Sequence, residues 1–257
     1  MAPVAASTTT ISTMTPSSSS DVAIYIINPN SSTIITSALS TNLSPQTPPG
    51  CTSHFVTGPP TSPLSIQDTS ESIISSAETF RFLLTSSPQN DLSLHPASAF
   101  LIACFSDHPL VGMIKCKTHK PTMHLLEAAA IHSLSVGERF GVLTTGRSVV
   151  RDVEGGVRKV LGGNSDRYVG THATGLGVVE LQTGNREKVE EKVRRGAQDL
   201  VSKGADVIVL GCAGMTGMEP LVRAACKEVG EDNIKVVDGA KAGLQILAGL
   251  ARVNYRS

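Results

Sequence analysis

Short apolar runs rich in β-branched residues recur along the chain at Val22–Ile27, Ser53–Thr57, Ala99–Ala103, Phe140–Thr144, Tyr168–His172, Val207–Leu210 and Ile234–Val237. Runs of that length and content, bounded by Asn, Pro, Gly or Ser, predict buried strands. Between them the spacing predicts helices over Thr33–Leu43, Leu64–Leu84, Pro121–Leu134, Arg147–Leu161, Asn185–Lys203, Pro220–Val229 and Gly239–Ala251. The Asn185–Lys203 segment is the clearest, with Val189, Val193, Ala197 and Leu200 at helical spacing among charged residues. Alternating β and α elements imply parallel sheets covered by helices, an α/β fold. The rhythm occurs twice, so two similar halves with a cleft between them are expected. Ser44–Gly50 is a Pro-rich loop, Gly175–Gly184 another loop, and Thr85–Ser98, rich in Pro and Ser, a surface insertion.

Two cysteines occupy equivalent places in that repeat. Ala99–Ala103 runs into Cys104-Phe105-Ser106-Asp107, and Val207–Leu210 runs through Gly211 into Cys212-Ala213-Gly214-Met215. Strand ends of this kind are where open α/β sheets place ligands. A thiol there can face a helix N-terminus, whose N–H groups and dipole favour a thiolate. One strand-end cysteine is more often packing than chemistry; a matched pair suggests a reagent pair. Cys51, Cys116 and Cys226 have no matching context and read as structural.

Composition narrows the partners. The 257 residues are only 4% aromatic, without Trp, and Lys plus Arg equals Asp plus Glu at 22 each. A base-stacking surface or basic footprint for nucleic acid or acidic membranes is therefore absent from the sequence. A small-molecule partner is expected. Five cysteines without a Cys-x-x-Cys, and nothing resembling a secretory signal, argue against a disulfide framework and for a reducing, cytoplasmic setting. No apolar run approaches bilayer length. Met1–Ser20, mostly Ser, Thr, Ala and Pro, reads as a disordered tail.

Other motifs read as structure. His108, four residues beyond Cys104, is a candidate base for a thiol, but no third orienting group is apparent and a turn histidine ahead of Pro109 is the simpler reading. The seven histidines show no metal-ligand spacing. Gly175-Leu176-Gly177 lacks the third glycine of a dinucleotide fingerprint, and Gly211–Met215 lacks the Lys-Ser/Thr of a phosphate loop.

Ile26-Ile27-Asn28-Pro29-Asn30-Ser31, Cys104-Phe105-Ser106-Asp107, Val142-Leu143-Thr144-Thr145 and Leu210-Gly211-Cys212-Ala213-Gly214-Met215, in that order from about residue 22 to residue 250, resemble the hydantoin/allantoin racemase branch of the Asp/Glu racemase superfamily. The resemblance implies two pseudo-symmetric, Rossmann-like parallel-sheet domains with the active site in the cleft between them. It implies residues 21–118 plus a returning C-terminal segment, 238–257, as the first and 119–237 as the second. It also implies proton transfer by Cys104 and Cys212 without cofactor or metal. Asn28, Ser106, Thr144 and Thr145 are then expected to hold the substrate, a hydantoin-type ring, with the N–H groups of Phe105, Ala213 and Gly214 as anion donors. Homo-oligomers formed through exposed helices are ordinary for such a fold.

The chain departs from the bacterial pattern before the middle helix. Lys115, Lys117, His119 and Lys120 occupy a rebuilt loop expected near the cleft, which leaves substrate identity open, whereas Glu127 is retained. Relatives with one nucleophilic cysteine isomerise or decarboxylate small dicarboxylates, and a non-catalytic ligand binder is the alternative from another class. The absence of an evident Arg clamp at either cysteine motif weighs against a dicarboxylate.

Overall fold

A computed structural model describes residues 22–178 and 180–253; the Met1–Ser20 segment lies outside the described residues. The first half runs β1 (Val22–Asn28), α1 (Thr33–Leu43), β2 (Cys51–Thr57), α2 (Thr69–Thr85), β3 (Ala99–Ile102), α3 (Pro109–Lys115), β4 (Thr122–His124) and α4 (Leu125–Val136). The second runs β5 (Phe140–Thr144), α5 (Val150–Leu161), β6 (Tyr168–Ala173), α6 (Glu180–Thr183), α7 (Arg186–Ser202), β7 (Val207–Leu210), α8 (Glu219–Lys227), β8 (Lys235–Asp238) and α9 (Gly239–Val253). Each half forms a four-stranded sheet, ordered β2-β1-β3-β4 in one and β6-β5-β7-β8 in the other. Every pairing is parallel.

Burial explains the strand sequences. β3, β5 and β7 are buried at every position, so both faces are apolar and the runs are continuous rather than alternating. The edge strands β2 and β6 are only partly buried, which is why they carry Thr, Ser and His. Helix starts follow from side-chain caps. Asp68 accepts from the Glu71 N–H (2.8 Å), His124 Nδ1 from the Glu127 N–H (3.0 Å), and Asn185 from the Lys188 N–H (2.9 Å).

The halves share one core. α9, at the chain's end, lies on β1 and β3 of the first sheet, while α4 lies on β7 and β8 of the second and packs along α9. Ile24, Leu101, Leu126, Val142, Val209 and Leu244 therefore belong to a single apolar cluster spanning both sheets. Gly243 permits the close approach of α9: a Cβ there would lie 2.5 Å from Leu101 Cδ1.

Several expectations are corrected. The helix expected over Pro121–Leu134 begins only at Leu125. Thr122–His124 is instead an edge strand paired with Phe100–Ile102. The first sheet thus runs past the expected division at residues 118–119. The helix expected from Leu64 starts at Thr69, where Asp68 caps it. Thr85–Ser98 runs largely exposed, as expected of a surface segment, but it is anchored: two single 3₁₀ turns, Pro88–Asn90 and Leu92–Leu94, put Leu92 and Ala97 into a buried cluster with Phe100, Ile102 and Leu110. The Gly175–Gly184 loop contains the one-turn helix α6. Among the described residues no helix is long and apolar enough to cross a membrane.

Candidate active site

The central strands of both sheets end at one cleft. β1 and β3 finish side by side (Ile27 beside Ile102), as do β5 and β7 (Leu143 beside Leu210). The turn after β3 is pinned by the Ala103 N–H to Ile27 O (2.7 Å) and by the Leu125 N–H to Cys104 O (3.3 Å). The turn after β7 is pinned by the Gly211 N–H to Leu143 O (2.7 Å). Gly211 must lack a side chain, since a Cβ would lie 2.6 Å from Val142 Cγ1 and 2.8 Å from Leu143 O. These constraints present Cys104 and Cys212 to one cavity of about 400 Å³.

Each thiol has a hydrogen-bond partner two residues further on. Cys104 Sγ lies 3.3 Å from the Ser106 hydroxyl, and Cys212 Sγ accepts the Gly214 N–H at 3.4 Å. Burial pushes the Cys104 thiol up to about 11, and the Ser106 hydroxyl partly opposes that shift. Burial pushes the Cys212 thiol up to about 12, with the Gly214 N–H lowering it and the charge of Cys104 raising it further. The expected acidification by a helix N-terminus is therefore outweighed by desolvation, because the element after Cys212 is only the three-residue 3₁₀ turn Ala213–Met215. The coupling also makes the doubly ionised pair costly: loading one thiolate disfavours the other.

The remaining expected residues divide. Phe105, Ser106, Thr144, Thr145 and Ala213 line the cavity. Thr144 also donates its hydroxyl to Gly211 O (3.0 Å), tying the end of β5 to the turn that carries Cys212. Asn28 does not line the cavity. Its buried amide donates to Asn30 Oδ1 (2.8 Å), Ser32 O (3.0 Å) and Thr36 Oγ1 (3.1 Å), and Asn30 takes the lining position. Gly214 serves the thiol rather than the cavity wall. The rebuilt loop is also elsewhere: Lys120 reaches His95 O, and none of Lys115, Lys117, His119 and Lys120 lines the cavity.

His108 is structural. Its ring nitrogens are bracketed by the Ser75 (3.0 Å) and Ser76 (3.2 Å) hydroxyls, and burial lowers it to about 3. Cys51, Cys116 and Cys226 lie outside the cavity. Among the described residues no group of three or more His, Cys, Asp or Glu side chains is placed to hold a metal ion.

Sequence reasoning missed the cavity's mouth. Asp68, Thr69 and Ser72 from the start of α2 face Arg151 and Asp152 from the start of α5. Thr69 Oγ1 donates to Asp152 Oδ2 across the opening (3.3 Å). On the same side Lys159 binds Asp107 at 2.7 and 2.9 Å, and His124 Nε2 lies 3.6 Å from it. The His124 hydrogen bond and the Lys159 ammonium hold the Asp107 carboxyl well below the usual carboxylate range. One signal was available, since a helix that follows a site-forming strand offers its first turn to the cleft, and α5 follows β5.

A repeated parallel α/β half with a thiol at the same strand end in each copy defines a two-thiol cleft protein of racemase architecture. The Asp/Glu/hydantoin racemase family model matches residues 24–247. The chain belongs to that family. It is 35% identical over 234 residues to the Schizosaccharomyces pombe protein C1F7.10, covering 91% of this chain and 93% of that protein. It is 26% identical over 234 residues to the hydantoin racemase of Paenarthrobacter aurescens, again covering 91% and 93%. Its fold matches the crystal structure of allantoin racemase from Pseudomonas fluorescens with a TM-score of 0.77 at 24% identity, over 90% of this chain and 92% of that one.

Proposed function

We propose that the protein is a cofactor-independent racemase of 5-substituted hydantoins, allantoin included, with Cys104 and Cys212 as opposed acid and base. The observation that carries this reading is the pair of thiols at equivalent strand ends lining one cavity. In the proposed cycle the thiolate of one cysteine takes the proton from the ring carbon that bears the substituent. The C–H electron pair passes into the adjacent ring carbonyl as an enolate. The thiol of the other cysteine then delivers its proton to the opposite face, leaving the thiol and thiolate exchanged and the carbon inverted. The high resting position of both thiols means that ionisation of one is the prerequisite for turnover, so activity is expected to rise with pH above neutrality.

The substrate-holding roles are assigned from the lining. Ser106 and Thr145 offer hydroxyls to ring carbonyls, and the N–H groups of Phe105 and Ala213 are the donors for the enolate oxygen. Thr144 lines the cavity while its hydroxyl holds the Cys212 turn, and Asn28 and Gly214 support turns instead. The deciding experiment follows the optical rotation of single-enantiomer allantoin and of alkyl- and aryl-hydantoins with purified protein in EDTA. Decay to zero rotation is expected. Rotation that stays at the uncatalysed rate for every ring overturns the reading.

A further inference from the structure

We propose that Arg151, at the mouth of the cavity, is a specificity residue that reads a carboxylate on the substrate's ring substituent. This rests on the racemase reading, since it assumes that the ring itself lies between the thiols.

The cavity wall carries four charged side chains, Asp68, Asp107, Arg151 and Asp152. All three carboxylates are engaged by the protein. Asp68 caps α2 through the Glu71 N–H, Asp107 holds Lys159, and Asp152 accepts the Thr69 hydroxyl. Only the cation is uncommitted: among the described residues the Arg151 guanidinium has neither a hydrogen-bond nor an ion-pair partner. Its position adds to the point. Arg151 is the second residue of α5, and no side chain caps that helix end. A cation in the first turn opposes the helix dipole, and an anion there is favoured by both the dipole and the guanidinium. Val149, Arg151 and Val153 all line the cavity, so this end of α5 faces the bound ring's periphery. Arginine matches a carboxylate in a planar, two-bond geometry that a lysine does not reproduce. The substrate class this assigns is a hydantoin whose C5 side chain ends in a carboxylate.

The test compares 5-(2-carboxyethyl)hydantoin with the nearly isosteric 5-(2-carbamoylethyl)hydantoin, which differ in charge and not in size. Dissociation constants by calorimetry and KM values are measured for the wild type, Arg151→Gln and Arg151→Lys. In the wild type the carboxylate compound is expected to bind roughly tenfold tighter, as one charge-assisted contact provides. That ratio should fall close to one in Arg151→Gln, be partly retained in Arg151→Lys, and shrink in high salt because the group is exposed. Equal ratios in wild type and Arg151→Gln, or no binding of the carboxylate compound, overturn the assignment. A charge preference that is lost in Arg151→Gln while neither compound is racemised upholds the subsite and overturns the racemase reading instead.

Discussion

Cys104 and Cys212 end equivalent strands of two sheets with the same strand order, yet the residue two places on is Ser106 in one half and Gly214 in the other. The hydrogen bond to the sulfur comes from a side chain in the first half and from the backbone in the second. The surroundings diverge similarly. Asp107, after β3, pairs with the exposed Lys159 of α5 and faces the buried His124, whereas Glu219 and Asp238 in the second half are both buried and only their partner Lys241 is partly exposed. Pseudo-symmetry is thus kept in the main chain, which brings both thiols to one cavity, and relaxed in the side chains around them.

The comparison breaks most severely if the thiols are not equivalent partners. Cys104→Ser and Cys212→Ser are each expected to reduce racemisation by roughly 10²–10⁴-fold, the usual worth of a positioned acid or base. In heavy water each variant should still exchange the ring hydrogen of one enantiomer with retention, and the two should prefer opposite enantiomers. Exchange of the same enantiomer by both would mean that the thiols do not face each other across the ring carbon.

The two ion clusters give the next contrast. Lys241 bonds Glu219 at 2.5 Å, and the other Glu219 oxygen is buried without a partner, as is one oxygen of Asp238. Lys241→Met should destabilise the protein by about 3–5 kcal/mol, because it strands a buried charge. Lys159→Met removes a more exposed pair and should change stability by less than about 1 kcal/mol. Denaturant midpoints of the two variants test the difference, and similar losses would erase it.

A smaller effect separates the halves in acid. His108 is buried and its folded pKa lies at about 3, below the ordinary 6.5. Its contribution to stability is therefore complete above pH 6.5 and is lost as pH falls towards about 3, since the unfolded chain takes up a proton that the native ring resists. The slope from this group is about 1.4 kcal/mol per pH unit. His108→Asn should flatten the acid limb of a stability curve by that amount. Asp238 has the opposite sign: burial raises it, so its cost is absent in acid and sets in as pH rises through the carboxylate range.

The mildest change is Ser106→Ala. Loss of the hydroxyl leaves burial unopposed at Cys104, and alkylation of Cys104 by iodoacetamide should need higher pH while that of Cys212 is unmoved. Activity should fall several-fold, by about 1 kcal/mol for one hydrogen bond. The equilibrium constant of a racemisation is one, so kcat/KM must drop equally for both enantiomers. An unshifted alkylation profile would show that Ser106 serves only the substrate.

Much of the fold was legible because β3, β5 and β7 are uninterrupted β-branched runs, and the thiol pair was legible because it recurs at the ends of two of them. β4 was not, since three residues fused to a helix carry no period of their own. The anchors within the mostly exposed Thr85–Ser98 segment were not legible, because its Pro and Ser content masks Leu92 and Ala97, whose burial is decided by distant partners. The mouth was hidden for a related reason. Asp68, Thr69, Arg151 and Asp152 lie more than thirty residues from either cysteine, and only the packing of α2 and α5 across the cleft brings them near.

The placement of α9 on the first sheet has a consequence for how the chain is made. Residues that complete the first core follow the whole second sheet in the chain, so β1 and β3 keep an apolar face uncovered until Gly239–Val253 has been synthesised. Early domain-by-domain folding, the usual order in a growing chain, is closed to this protein. The helix α9 acts as a lock, and a chain cut short before it would present the exposed sheet that chaperones and proteases recognise.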